Sequence, residues 1–188
     1  MQEKGYNFNF MKYADELTKA MDFLAEDSRT IFIGQAVEYP GTAMTNTLKN
    51  IPKNKLYEFP VADEMQLGIS NGLTLNNLVP VSIFPRWNFL LLATNQLVNH
   101  LDKFHVMLQG KFKTKVIIRT SIGSQRPLHP QHQHIGDFTE AFKKVLSTVE
   151  IIRLEESSDI LPSYKKALTR EDGNSTILVE YGDYYNKK

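Results

Sequence analysis

Residues 115–134 read KVIIRTSIGSQRPLHPQHQH, and this stretch decides how the rest of the chain is read. Its first part, KVIIRTS at 115–121, has an apolar centre without strict alternation, the pattern of a strand covered on both faces of a sheet. A loop follows, punctuated by Gly123, Pro127 and Pro130, and it holds three of the five histidines in the chain: His129, His132 and His134. A polar loop directly after a doubly covered strand belongs to a parallel sheet, where ligands bind beyond the carboxyl ends of the strands.

The same unit recurs on either side. TIFIG at 30–34 is an apolar run ending at glycine, followed by AVEYPGTAM, and VPVSIFP at 79–85 is a further strand. YADELTKAMDFLAE at 13–26 sets Leu17, Ala20, Met21 and Leu24 at helical spacing, and DEMQLGISNGLTLNN at 63–77 reads as a helix despite two glycines. WNFLLLATNQLVNHLDKFHVML at 87–108 reads as one long helix. DFTEAFKKVLSTV, EIIRLEE, SDILPSYKKALTR and STILVEYG then alternate helix, strand, helix and strand. The pattern predicts an α/β fold: a single three-layer domain over 13–188, with a mostly parallel sheet flanked by helices, after a short extension at 1–12. Four loops fall at the carboxyl ends of strands: 34–42, the turn after Pro60, the turn after Phe84, and 121–136.

Composition narrows the function classes. The 188 residues carry 22 Lys and Arg against 21 Asp and Glu, a formal net charge of +1, with no long block of one sign, so no phosphate-tracking nucleic-acid surface is expected. The absence of cysteine removes disulfides, thiolate zinc sites and cysteine nucleophiles. The longest purely apolar run, Phe89 to Ala93, is far shorter than the roughly 20 residues of a membrane span. MQEKGYNFNF at the start has no basic region leading into an apolar stretch. A cytoplasmic protein without a membrane or nucleic-acid partner is the expectation.

The His-rich loop admits three readings. Its imidazoles suit zinc, copper or nickel, but their spacing matches no structural zinc pattern, so no metal site is expected. It is also readable as a solvated loop without a special role. Its position after a buried strand, together with Arg126, favours a catalytic or substrate-facing loop.

Taken together, the four loops resemble the pyrimidine-binding domain of thiamine diphosphate enzymes, and especially the beta subunit of 2-oxo acid dehydrogenase decarboxylating components. Transketolase and deoxyxylulose phosphate synthase have a similar domain. GQAVEYPG at 34–41 resembles the family's G-E-D-V-G-x-x-G-G loop, and PVADEMQLGISNGLTLNNLVPV at 60–81 resembles the segment carrying its cofactor glutamate. NQLVN at 95–99 is similar to D-Q-I-V-N, and RTSIGSQRPLHPQHQH at 119–134 to R-T-P-x-G-G-G-x-x-x-x-P-Q-H-S-Q. The resemblance covers about residues 13–183 and implies the thiamine diphosphate-binding fold.

It also implies half of an active site. The family's magnesium and diphosphate are held by a G-D-G…N-N motif, which this chain lacks, so a separate partner chain is expected to supply Mg2+ and the diphosphate-binding domain. By the resemblance, the 188 residues end where the family's beta subunit would continue into a carboxy-terminal domain. The resemblance implies a homodimer within a heterotetramer acting on a 2-oxo acid or a ketose phosphate. The alternative is a non-catalytic assembly or regulatory subunit that retains the fold.

Residue by residue, the resemblance aligns Asp63 with the glutamate that hydrogen-bonds the pyrimidine ring nitrogen, and Glu64 follows directly. Both acids also suit the first turn of a helix through the dipole alone. Phe89 matches the phenylalanine that stacks on the aminopyrimidine, although a core role fits it equally, and Arg86 sits beside it. Glu38 is a further candidate near the cofactor or an interface. His132 aligns with the histidine facing cofactor and substrate. His129 and Arg126 join it as candidates for binding an anionic substrate. His129 and His134 have no firm counterpart in the family, and His100 and His105 are read as structural.

Overall fold

The computed structural model describes residues 10–40, 42–123 and 129–185. Helix α1 (Phe10–Glu26) opens the fold, starting three residues before the expected position 13. Then come β1 (Thr30–Gly34), β2 (Leu56–Glu58), α2 (Asp63–Thr74) and β3 (Val79–Phe84). A helical run from Trp87 to Met107 follows and includes α3 (Trp87–Leu90) and α4 (Phe104–Met107). The chain finishes with β4 (Ile117–Ile122), α5 (Thr139–Val145), β5 (Glu150–Arg153), α6 (Ser157–Thr169) and β6 (Thr176–Tyr181).

The six strands form one sheet in the order β2-β1-β3-β4-β6-β5. Every pairing is parallel, so the expected mostly parallel sheet is wholly so. Two apolar layers sandwich it. On one face Leu17, Met21 and Leu24 of α1 and Ile160, Tyr164 and Leu168 of α6 cover Phe32, Val81, Ile83 and Leu178. On the other, Leu67 of α2, Trp87, Leu90 and Leu97 of the helical run and Phe142 of α5 cover Phe84, Ile118, Ile177 and Val179. Residues alternate between these layers along β4 and β6, as the strand period of two requires. Burying both faces explains why these strands read as apolar runs.

One sequence expectation is corrected. The segment 87–108 is not one regular helix: it contains a π segment at Gln96–His100 flanked by 3-10 turns. There the Gln96 carbonyl accepts both the Leu101 N–H and the Asn71 side-chain amide at 3.1 Å, and a side chain bonded into the ladder is a known cause of such a bulge. The strand implied before the turn at Pro60 had no bounds in the sequence, and it is β2. It is three residues long and only partly buried at the sheet edge, too short to show a period.

The ends of β1 and β3 create the principal crevice. After β1 the chain passes to the α1 face, where Val37, Met44 and Leu48 join that core, whereas after β3 it passes to the α2 face through Trp87. This is a topological switch point, where ligands bind in open α/β sheets. Gly34 is paired with Ile83 at this edge, and a Cβ on it would collide with the Ile83 carbonyl oxygen. Only glycine permits so close an approach.

Candidate active site

Asp63 is the first residue of α2 and only 3% exposed, whereas Glu64 beside it is exposed. Successive helical residues point about 100° apart, so one acid faces the sheet and the other solvent. Glu64 accepts a hydrogen bond from the Asn95 amide at 3.2 Å. Burial pushes the Asp63 carboxyl up from the usual carboxylate range, with its own backbone N–H pulling the other way. The Gln35 amide approaches Asp63 Oδ1 at 3.5 Å from the loop after β1, a long contact that orients more than it binds.

Gln66, one turn further along α2, fixes this acid in place, and sequence reading missed it. Its buried Nε2 donates to Ser82 Oγ at 3.1 Å and to the Ile83 carbonyl at 3.0 Å, and reaches the Ile33 carbonyl at 3.4 Å. One amide thereby ties the start of α2 to both strands of the switch point. Polar residues form much of the buried face of α2, namely Asp63, Gln66, Ser70, Asn71 and Thr74, while Met65 and Ile69 are exposed. That inverts the usual amphipathic pattern.

Glu58, the last residue of β2, was also missed. Its carboxylate accepts the backbone N–H groups of Ala36, Val37 and Glu38 at 2.7, 2.9 and 2.9 Å and so shapes the loop after β1. Ala36 adopts φ 54° in this turn. The Glu38 side chain itself is exposed.

At the ends of β3 and β4, Arg86 Nη1 donates to the carbonyls of Gly123 at 2.8 Å and His134 at 2.9 Å, clasping both ends of the His-rich loop. Burial pushes the Arg86 guanidinium down, and the Asp183 carboxylate offsets part of this. Asn88 Oδ1 accepts the Gly136 N–H at 3.2 Å and adds a second tie. Trp87 is fully buried and packs on Phe142 with ring centroids 5.1 Å apart, so it belongs to the core. Phe89 is half-buried and meets His134 edge-on at 5.3 Å.

The three histidines separate in space. His132 begins a 3-10 turn and is exposed; His129 is exposed, with its Nδ1 accepting the Gln131 N–H at 3.0 Å. His134 is half-buried, and its Nδ1 has neither solvent contact nor a hydrogen-bond partner among the described residues. Arg126 lies outside the described residues. Among the described residues no group of three or more metal-ligating side chains comes together.

Asp63 and Glu64 line a groove of about 720 Å3 that runs beside α2, with Val61, Met65, Ile69 and Leu92 as its apolar walls. The geometry is that of a doubly wound α/β domain with a buried acid at its switch point. The family model for the transketolase pyrimidine-binding domain matches residues 10–186, and the chain belongs to that family. It is 26% identical over 180 residues to the mitochondrial pyruvate dehydrogenase E1 component subunit beta of Ascaris suum, covering 93% of this chain and 48% of that protein. The corresponding subunit of Gracilaria tenuistipitata var. liui is 25% identical over 178 residues, covering 93% and 54%. The chain thus spans about half the length of these curated relatives. Among solved structures, a split-gene transketolase described as an inactive beta4 tetramer superposes with a TM-score of 0.65 at 15% identity, covering 92% of this chain and 50% of that one. The transketolase of Campylobacter jejuni gives 0.69 at 11% identity, covering 89% and 25%. At such identities these two bear on the fold alone.

Proposed function

We propose that this chain is a subunit of a thiamine diphosphate-dependent enzyme, supplying the aminopyrimidine half of a site used for decarboxylation of a 2-oxo acid or for ketol transfer. The observation that carries the reading is Asp63: a buried carboxyl at the switch point, shifted upward by burial, in a domain of the transketolase pyrimidine-binding family. Burial raises the proton affinity of this carboxyl, which suits a hydrogen bond to a ring nitrogen such as the aminopyrimidine presents. The residues therefore fit the cofactor.

When bound, thiamine diphosphate supplies the electron sink for breaking a bond beside a carbonyl. Asp63 would hydrogen-bond the pyrimidine nitrogen, with the Gln35 amide orienting the acid. Phe89 offers its ring to the aminopyrimidine. Arg86 acts through the His-rich loop it clasps, and His134 is better placed than His132 to exchange a proton near Phe89. Arg126, His129 and His132 remain candidates for an anionic substrate's carboxylate or phosphate.

The active form is a complex with a separate chain that brings the diphosphate-binding domain and its magnesium ion. The exposed Val61 (82%), Met65 (51%), Ile69 (40%) and Leu92 (64%) support an α2 face that packs against another chain, because apolar residues gathered along one groove mark an interaction site. In this reading the face belongs to a homodimer within a heterotetramer.

A second reading is supported by Asp63 itself, which stands where the family has glutamate. The shorter side chain loses roughly 1.5 Å of reach, and a misplacement of about 1 Å costs around 100-fold in rate. A non-catalytic assembly subunit would tolerate that loss. Calorimetric titration of thiamine diphosphate and magnesium into the chain, alone and mixed with a coexpressed chain carrying G-D-G…N-N, separates the two. Binding in the mixture, followed by turnover, is the expected outcome for the enzyme; binding in neither defeats it.

A further inference from the structure

The opposite edge of the sheet, at the amino ends of the strands, holds a separate cleft of about 620 Å3. Its walls come from the residues leading into β1, β3, β4 and β6, including Asp27 and Arg29, Asn77, Lys113 and Lys115, and Arg170. Nothing in the proposed cofactor chemistry uses them.

Lys115 is the unusual member. It is 8% exposed, and its ammonium donates to the Leu168 carbonyl, the one hydrogen-bond acceptor it has among the described residues. No carboxylate pairs with it there. Lysine is almost never buried without a counter-ion, since an unpaired ammonium away from water is costly. The nearby cations make the deficit larger. Burial, then Arg29 and Arg170, push the Lys115 ammonium down to about 8, with Asp172 and Asp27 opposing.

The acids around the cleft do not fill the gap. Asp27 is held by Arg29 Nε and Nη2 at 3.0 and 2.7 Å. Asp172 is held by Arg170 at 2.7 and 2.6 Å, and Glu150 also binds Arg170. Glu26 and Glu171 are exposed at the rim. On the cationic side, Nη1 of Arg29 and the exposed Lys113 ammonium carry no hydrogen bond among the described residues. Lys115, Arg29 and Lys113 thus have donors to spare around one cavity.

We propose that this cleft is a second binding site, for a small oxyanion bearing a phosphate or carboxylate group, with Lys115 at its floor and Arg29 and Lys113 at its rim. The anion would be the missing counter-ion of Lys115. The site lies across the sheet from Asp63, so the proposal stands independently of the cofactor reading.

The test is a titration of the full chain at pH 7 with inorganic phosphate and, separately, with succinate, followed by calorimetry and by NMR of the lysine side chains. The expected result is saturable binding near the millimolar range, on the order of 1 mM, with the Lys115 titration moved above about 8. Lys113→Glu, at an exposed position, should weaken binding by roughly tenfold through repulsion at the rim. Lys115→Met should abolish it, and Lys113→Glu keeps the test sound if that buried change unfolds the chain. Binding of phosphate alone assigns a phosphate ester, and equal binding of succinate extends the site to carboxylates. Failure of both anions to saturate overturns the proposal, as does binding that leaves the Lys115 titration unmoved or that Lys113→Glu leaves unchanged.

Discussion

The rings of Phe89 and His134 meet edge to face, with centroids 5.3 Å apart, while His132 two residues earlier is exposed. The resemblance of P-Q-H-Q-H to the family motif singles out His132, but the 3-10 turn at His132–His134 turns the later imidazole inward. His134→Asn is therefore expected to lower turnover of the reconstituted complex by on the order of 100-fold, the low end for a general acid-base group. His132→Asn should cost under about tenfold by the same comparison. Steady-state kinetics of the two variants side by side checks this, and a larger loss in His132→Asn would reverse the assignment.

Asp63 is expected to behave as a buried proton carrier. Asp63→Asn retains the size of the side chain but cannot exchange a proton, so turnover should fall by about 100-fold or more while thiamine diphosphate still binds. The acid's raised folded value makes its protonated form persist to higher pH than in an exposed aspartate. Ionisation as pH rises through that value should lower both stability and activity, a limb missing from the pH profile of Asp63→Asn. Asp63→Glu tests reach: increased turnover points to an acid now too short, decreased turnover to a pocket fitted to aspartate.

Arg119 and Glu180 form an ion pair with both side chains fully buried, Nε to Oε1 at 2.5 Å and Nη2 to Oε2 at 3.0 Å. The Tyr164 hydroxyl donates to the same carboxylate at 2.5 Å, and Tyr185 donates to its other oxygen. Glu180→Gln leaves an uncompensated buried guanidinium and should cost about 3–5 kcal/mol in urea denaturation. Replacing both partners, Arg119→Met with Glu180→Leu, should recover much of that loss, because the cost lies in the orphaned charge.

Asp102, fully buried, caps the chain between α5 and β5. Its carboxylate accepts the backbone N–H groups of Ser147, Thr148 and Val149 at 2.7 to 3.1 Å. Burial alone would raise its value, but the Lys103 ammonium and these N–H groups together outweigh burial and hold the carboxyl well below the usual range. Its folded value is depressed, so its stabilisation is complete above the unfolded value near 4 and is lost as pH falls through the folded one. Asp102→Asn should destabilise by about 2–4 kcal/mol at pH 7. That difference should shrink steadily below about pH 4 in denaturation curves.

Much of the fold was legible because strands buried on both faces announce themselves as short apolar runs. TIFIG, VPVSIF and the IIRTS of KVIIRTS all became strands, and Leu17, Ala20, Met21 and Leu24 all became core. The irregularities were not legible. The π segment at Gln96–His100 depends on Asn71 reaching its carbonyl from α2, a contact across 25 residues of sequence. Glu58 and Gln66 escaped notice for a related reason: each binds backbone groups, which carry no residue signature.

By itself, the sequence determined the α/β class, the loops that meet at the carboxyl ends and the family to which the chain belongs, since these follow from periodicity and from motifs in order. Only the tertiary structure decided that Asp63 is inside and Glu64 outside, that His134 rather than His132 meets Phe89, and that α2 buries polar groups while exposing apolar ones. Helical spacing fixes the angle between neighbouring side chains, but packing against the sheet fixes which of them turns inward.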